Sequence, residues 1–190
     1  MKILQEIKPI EKEKQRVKKI IESVLSKIEI GDAEFELGGS YAKDTFLKNS
    51  HDIDVFVKFP YKMYKNKNLS MILNERLKLN HKTLHGSRDY FQLQRKEYTF
   101  EFIPVLDIND SSQALNITDV SPLHRKWVNK HLKNPDEVRL IKKFCRAQNV
   151  YGAESYIKGF SGYVLEILTV YYGSFNNLVR AVSKWKIPIY

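Results

Sequence analysis

Residues 51–59, HDIDVFVKF, alternate polar with apolar side chains and stop at Pro60. A period of two fixes an extended strand, with Asp52 and Asp54 on one face and Ile53, Val55 and Val57 packing behind them. Two carboxylates held this close repel each other, and half-burying either is unfavourable without a counter-charge. A divalent cation removes the conflict. Mg²⁺ suits such a pair, because it favours carboxylate oxygens, keeps several waters and takes its remaining ligands from phosphates.

Two further features join the strand. Gly38-Gly39-Ser40 precedes it at the expected start of a short helix over residues 41–48 capped by Ser40. Exposed backbone N–H groups and a hydroxyl there make a seat for a triphosphate. In YTFEFIPV, Glu101 falls on the face opposite Phe100 and Phe102, an acid in an otherwise apolar strand. In-line phosphoryl transfer with two metal ions needs a third carboxylate from a neighbouring strand, so Glu101 is the expected third ligand. Singly, Asp52, Asp54 and Glu101 each read as ordinary solvent-facing positions of a sheet. Together with Gly39 and Ser40 they read as a catalytic set.

A chain of 190 residues, 43% hydrophobic and 28% charged with eight Gly and six Pro, has the composition of a globular protein with one good core or two small ones. No apolar run approaches the roughly 18 residues that span a bilayer, and the opening MKILQEIKPIEKEK lacks the apolar block of a signal peptide. The expectation is a cytoplasmic protein with no membrane partner. Cys145 has no companion for a disulfide or a zinc site and reads as a half-buried thiol on a helix. Thirty-two Lys and Arg against 22 Asp and Glu give a net charge of +10, which attracts polyanions through counterion release. Nucleic acid is the leading partner, although a basic balance also serves solubility alone.

Val17, Ile20, Ile21, Val24, Leu25 and Ile28 recur at steps of three and four and predict a helix from about residue 9 to 29, ended by Gly31-Asp32. AEFEL then predicts a half-buried strand with Ala33, Phe35 and Leu37 inward. A helix is expected near 69–84, then two strands, RDYFQLQR and YTFEFIPVLDI, in a hairpin across Lys96 and Glu97. From Asn116 onward the chain reads as mostly helical. Ser121-Pro122 and Asn134-Pro135 look like N-caps followed by proline. One helix runs to about Gln148, another spans Gly162 to Tyr172, and Ser174 caps a last one through Trp185. The domain boundary is expected in a turn near 130–135, giving a unit over 1–130 and a helical unit over 131–190.

The basic, aromatic loop from Lys58 through Lys67 reads as a solvated loop or as an RNA track with Tyr61 and Tyr64 stacking on bases. His81 and His85 in HKTLH would share one helical face, yet no third ligand accompanies them and no zinc site is inferred.

The order hG[GS], short helix, hDxDh and a later strand acid resembles the nucleotidyltransferase superfamily. The similarity extends to the archaeal-type (class I) CCA-adding enzymes through GGSYAKDTFLKNSHDIDVFVKFP, FEFIPV, NITDVSPLHRKWV, DEVRLIKKFCRAQNVYGAESYIKGFSGYVLEIL and YYGSF. The resemblance implies an α+β fold, a polymerase-beta-like palm with a mixed or antiparallel sheet followed by a helical domain. It implies template-independent transfer from CTP and ATP to the 3′ end of tRNA. It also implies Mg²⁺ in a two-metal site on Asp52, Asp54 and Glu101, with Gly39, Ser40, Ser121, His124, Lys142 and Tyr151 around the nucleotide. On their own residues, Lys142 reads equally as a solvated lysine, His124 as a surface histidine and Tyr151 as core.

Two departures stand out. The third acid is usually aspartate and is Glu101 here, which moves the carboxylate by roughly 1.5 Å. Family members also run well past KIPIY. Three readings follow: the catalytic half of a split enzyme completed by a second polypeptide, or by self-association; a stand-alone minimal nucleotidyltransferase acting on another RNA or acceptor; and a non-catalytic RNA-binding or assembly fragment, against which Asp52 and Asp54 argue.

Overall fold

The computed structural model describes residues 2–186. A five-stranded sheet has the order β1-β2-β5-β4-β3. Its strands are β1 (Glu34–Leu37), β2 (Asp52–Pro60), β3 (Lys82–Leu84), β4 (Tyr90–Arg95) and β5 (Tyr98–Asp107). β2 and β5 run parallel and every other pairing is antiparallel, so the sheet is mixed. A parallel pair needs a crossover, and the chain makes it through α4 (Tyr61–Tyr64), α5 (Leu69–Arg76), β3 and β4. Lys96-Glu97 close the β4–β5 hairpin, with Lys96 in the left-handed region at φ 52°.

The alternation in β2 has the predicted effect. Ile53, Val55, Val57 and Phe59 are wholly buried, and their partners Phe100 and Phe102 on β5 join the same layer. Two helices cover that face: α2 (Glu11–Leu25) with Val17, Ile21 and Val24, and α5 with Leu69 and Leu73. Each such apolar side chain stabilises the fold by about 1.5–3 kcal/mol on burial. The opposite face carries Asp52, Asp54 and Glu101 and is left for the second half of the chain.

That half consists of α6 (Ser121–His131), α7 (Pro135–Ala147), α8 (Gly162–Tyr172) and α9 (Phe175–Val182). The cap of α7 is as expected: the Asn134 side chain accepts from the Asp136 N–H, ahead of Pro135. Ser161 and Ser174 cap α8 and α9, and Cys145 is buried on α7. Ile141, Cys145, Leu165 and Leu178 form a small second core. Arg139, 1% exposed, ties α7 to the sheet domain. Its guanidinium donates to the carbonyls of Asp44 and Phe46 and to the carboxylate of Asp136. A short N-terminal helix, α1 (Lys2–Ile7), also packs on α7, with a Lys8–Asp136 ion pair at 2.7 Å.

Several elements differ from expectation. α2 ends at Leu25, where Ser26 turns the chain before Ile28 and Ile30 are buried by loop packing. The helix expected over 69–84 stops at Arg76, and residues 82–84 form an edge strand because β4 offers an open ladder. His81 and His85 therefore share no helical face. His81 bonds Asn74 and the Leu79 carbonyl, and His85 bonds Asp89. The short helix after Gly38 is α3 (Gly39–Ala42), shifted toward the N-terminus, and Ser40 sits inside it without capping. Ser121 is likewise the first residue of α6, after Val120. α9 ends at Val182 rather than Trp185. Tyr64 is not a stacking platform: it is 6% exposed and donates its hydroxyl proton to Asp32. Ile187–Tyr190, most of the KIPIY segment, lie outside the described residues.

Candidate active site

A cleft of about 410 Å³ opens between the acidic face of the sheet and helices α6, α7 and α8. Asp52 and Asp54 line its sheet side. Gly39 and Ser40 form its rim, and Ser121, His124, Lys142 and Tyr151 line it from the helical side. One cavity thus gathers residues from separate stretches of the sequence. Glu101 is the exception and is absent from the lining.

The acids are neighbours by register. Asp54 stands opposite Glu101 on the parallel pair β2–β5, and Asp52 is opposite Thr99. Burial, then the Glu101 charge, pushes the Asp54 carboxyl up to about 6, while Lys43 and Lys142 pull the other way. Burial also raises Glu101, opposed by a hydrogen bond in which Gln92 donates to Glu101 Oε1 at 3.2 Å. That bond draws Glu101 toward β4. Among the described residues no group of three or more His, Cys, Asp or Glu side chains is arranged to hold a metal ion. The donor set still fits Mg²⁺, which is bound by one or two protein carboxylates and completed by water and substrate phosphates. Asp52 and Asp54 would supply those two, and burial with the neighbouring Glu101 charge raises the Asp54 carboxyl.

Gly39 brings the α3 turn onto this acid. It sits at φ 55°, and a Cβ built on it would overlap Asp54 Oδ2. Only glycine allows both the left-handed backbone and the close approach. The Gly38 N–H also donates to the Asp54 carbonyl at 2.9 Å, fixing the turn to the strand.

On the other wall, Lys142 is buried at 3% exposure rather than solvated. Its Nζ donates to the Thr45 carbonyl at 3.2 Å and to Thr45 Oγ1 at 3.0 Å, and reaches Glu166 Oε1 at 3.4 Å. Burial pushes the ammonium down to about 8, against the upward pull of Glu166. His124 stacks on Tyr163 with ring centroids 4.1 Å apart, and burial, then Lys43, lowers its pKa. Arg146 lies over the Tyr151 ring at 4.8 Å, and burial raises the Tyr151 phenol.

Lys43, Thr45, Arg146, Tyr163 and Glu166 also line the cleft. None of the five was singled out from the sequence. The available signal was Glu166, a charge amid the apolar GYVLEIL.

The cleft can bind a polyanion on its cationic wall and hold its reacting end against two aspartates. Residues 17–107 match the family model described as nucleotidyltransferase domain, and residues 136–190 match tRNA nucleotidyltransferase, second domain. Among curated proteins, the chain is 38% identical to the CCA-adding enzyme of Sulfolobus acidocaldarius across 99% of its own length and 46% of that protein's. Against the CCA-adding enzyme of Nanoarchaeum equitans it is 37% identical, covering 96% of this chain and 47% of the relative. The chain thus spans about half the length of the curated relatives it matches. Among solved structures, the Cid1 poly(U) polymerase bound to Mg 3′-dATP superposes with a TM-score of 0.61 at 19% identity, covering 90% of this chain and 52% of that one. The CdnE cyclic dinucleotide synthase of Elizabethkingia meningoseptica does so with a TM-score of 0.55 at 14% identity, over 88% of this chain and 74% of that one. These two likenesses show the fold alone.

Proposed function

Because the chain belongs to the nucleotidyltransferase superfamily and is homologous to the archaeal CCA-adding enzymes, we propose that it transfers nucleotides from CTP and ATP to the 3′ end of tRNA. It supplies the nucleotidyltransferase domain and the second domain of that activity. The separate family matches over 17–107 and 136–190 support a division into a catalytic unit over 1–130 and a helical unit over 131–190.

The observation that carries the proposal is the juxtaposition of Asp52 and Asp54 with the Gly39-Ser40 turn across one cleft. The 3′ hydroxyl of the RNA attacks the α-phosphorus of the nucleotide, a P–O bond forms, and pyrophosphate leaves as the bond to the β-phosphate breaks. Asp52 and Asp54, with Glu101 beside them, are the residues that would hold Mg²⁺, which when bound neutralises phosphate charge and acidifies the attacking hydroxyl. The Ser40 hydroxyl and the α3 N–H groups bind phosphate oxygens. Lys142 adds a charge-assisted bond to the departing pyrophosphate, while Ser121, His124 and Tyr151 orient the nucleotide from the helical wall.

The test is incorporation of labelled CTP and ATP into tRNA lacking its 3′ end by the 190-residue chain. Asp54→Ala is expected to abolish incorporation with the fold intact. Full activity of that variant in an uncontaminated preparation would reject the proposal.

A further inference from the structure

Glu166 is 1% exposed and lies at the back of the cleft, on α8. Lys43 donates to its Oε2 at 2.5 Å. The Thr45 hydroxyl donates to Oε1 at 2.6 Å and itself accepts from Lys142 at 3.0 Å, so one buried carboxylate organises two ammonium groups. Lys43 and Thr45 follow α3 and the phosphate turn, Lys142 sits on α7, and Glu166 on α8. The network is therefore where the phosphate-binding end of the sheet domain meets the helical unit.

Two ammonium groups and one carboxylate leave one net positive charge in the cluster. That excess faces a cleft whose other wall carries Asp52 and Asp54. Both lysines already act on the Asp54 carboxyl through space. Without Glu166, the opposing acids would be the strongest nearby anions for either lysine. We propose that Glu166 is a positioning residue that holds Lys43 and Lys142 as a preassembled pair for the triphosphate and keeps them from collapsing onto Asp52 and Asp54. The proposal rests on the nucleotidyl-transfer reading and adds that preference for a triphosphate is set by a carboxylate that does not touch the nucleotide.

The experiment compares CTP with CMP. Binding of each to the 190-residue chain is measured by calorimetry in Mg²⁺ buffer, for wild type and Glu166→Gln. Gln keeps the side-chain volume and the acceptor for the Thr45 hydroxyl but removes the charge. The expected result is a loss of about tenfold or more in CTP affinity with CMP affinity unchanged, since pairing by the β- and γ-phosphates is what weakens. A purely structural role would weaken both ligands alike. An unchanged ratio of CTP to CMP affinity in Glu166→Gln overturns the inference while leaving nucleotidyl transfer standing. Failure of the wild type to prefer CTP at all overturns both. Should Glu166→Gln not fold, Thr45→Val carries the test, because it removes the hydroxyl that joins Glu166 to Lys142 without changing volume. The CTP preference must then fall, and its retention overturns the inference.

Discussion

Asp54 and Glu101 stand opposite each other on adjacent parallel strands, and the Glu101 charge adds to burial in raising the Asp54 carboxyl to about 6. Glu101→Gln removes that charge. It is expected to lower the Asp54 titration in part, burial still holding it above the ordinary carboxylate range, in metal-free protein followed by carboxyl NMR, and to lower nucleotide incorporation by about 100-fold or more. Activity within threefold of wild type would show that Glu101 has no part in the reaction.

Asp54→Asn separates stability from activity. A carboxyl with a raised folded pKa contributes relative stability below its unfolded value of 3.8, and that contribution is lost as pH rises through about 6. In EDTA at pH 7 the amide is therefore expected to be more stable than wild type by about 1–2 kcal/mol, and the gap is expected to close near pH 4. Thermal melts across that range decide it. A variant less stable than wild type at pH 7 contradicts the burial of an ionised Asp54.

Gly39→Ala inserts a Cβ into the space of Asp54 Oδ2 at a left-handed backbone position. Strain of about 1–3 kcal/mol is expected in denaturant unfolding. Displacement of Asp54 is expected to lower kcat by about 100-fold. Gly173 is the control, since it is also left-handed but has open space around its missing Cβ, so Gly173→Ala affects stability alone.

Lys142 provides a pH dependence. Burial lowers its pKa to about 8; Glu166 raises it, and Lys43 and Arg146 lower it further. The cation proposed to bind phosphate is thus lost as pH rises through about 8, and CTP affinity is expected to fall by up to about tenfold per pH unit above that value. Lys142→Met is expected to bind CTP weakly and with a flatter profile. A wild-type affinity that is constant from pH 7 to 9 would rule out a role for this ammonium in nucleotide binding.

Arg139→Met addresses the joint between the two halves. It leaves the Asp44 and Phe46 carbonyls and part of the Asp136 carboxylate unpaired. Chemical denaturation is expected to show a loss of about 3–5 kcal/mol. Arg139→Lys is expected to rescue little, because one ammonium does not span the same set of acceptors.

Read along the chain, the residues themselves were sufficient for the local geometry of β2. A period of two puts Asp52 and Asp54 on one side of β2 and Ile53, Val55, Val57 and Phe59 on the other, whatever the strand packs against. Caps at Asn134, Ser161 and Ser174 are equally local, because each side chain satisfies N–H groups two or three residues away. Some failures came where a local preference met a tertiary partner: residues 82–84 join an open sheet edge, and the Tyr64 hydroxyl finds Asp32; others were local, since Ser40 and Ser121 lie inside their helices instead of capping them.

What only the tertiary structure decided is electrostatic. Periodicity fixes which side of its strand Glu101 takes. It does not fix that Gln92 holds it toward β4, or that Glu166 gathers Lys43, Thr45 and Lys142 from distant segments. Spacing along a chain determines the direction of a side chain within one element. Charge pairing and desolvation depend on distances between elements, and those exist only once the sheet and the helices have packed.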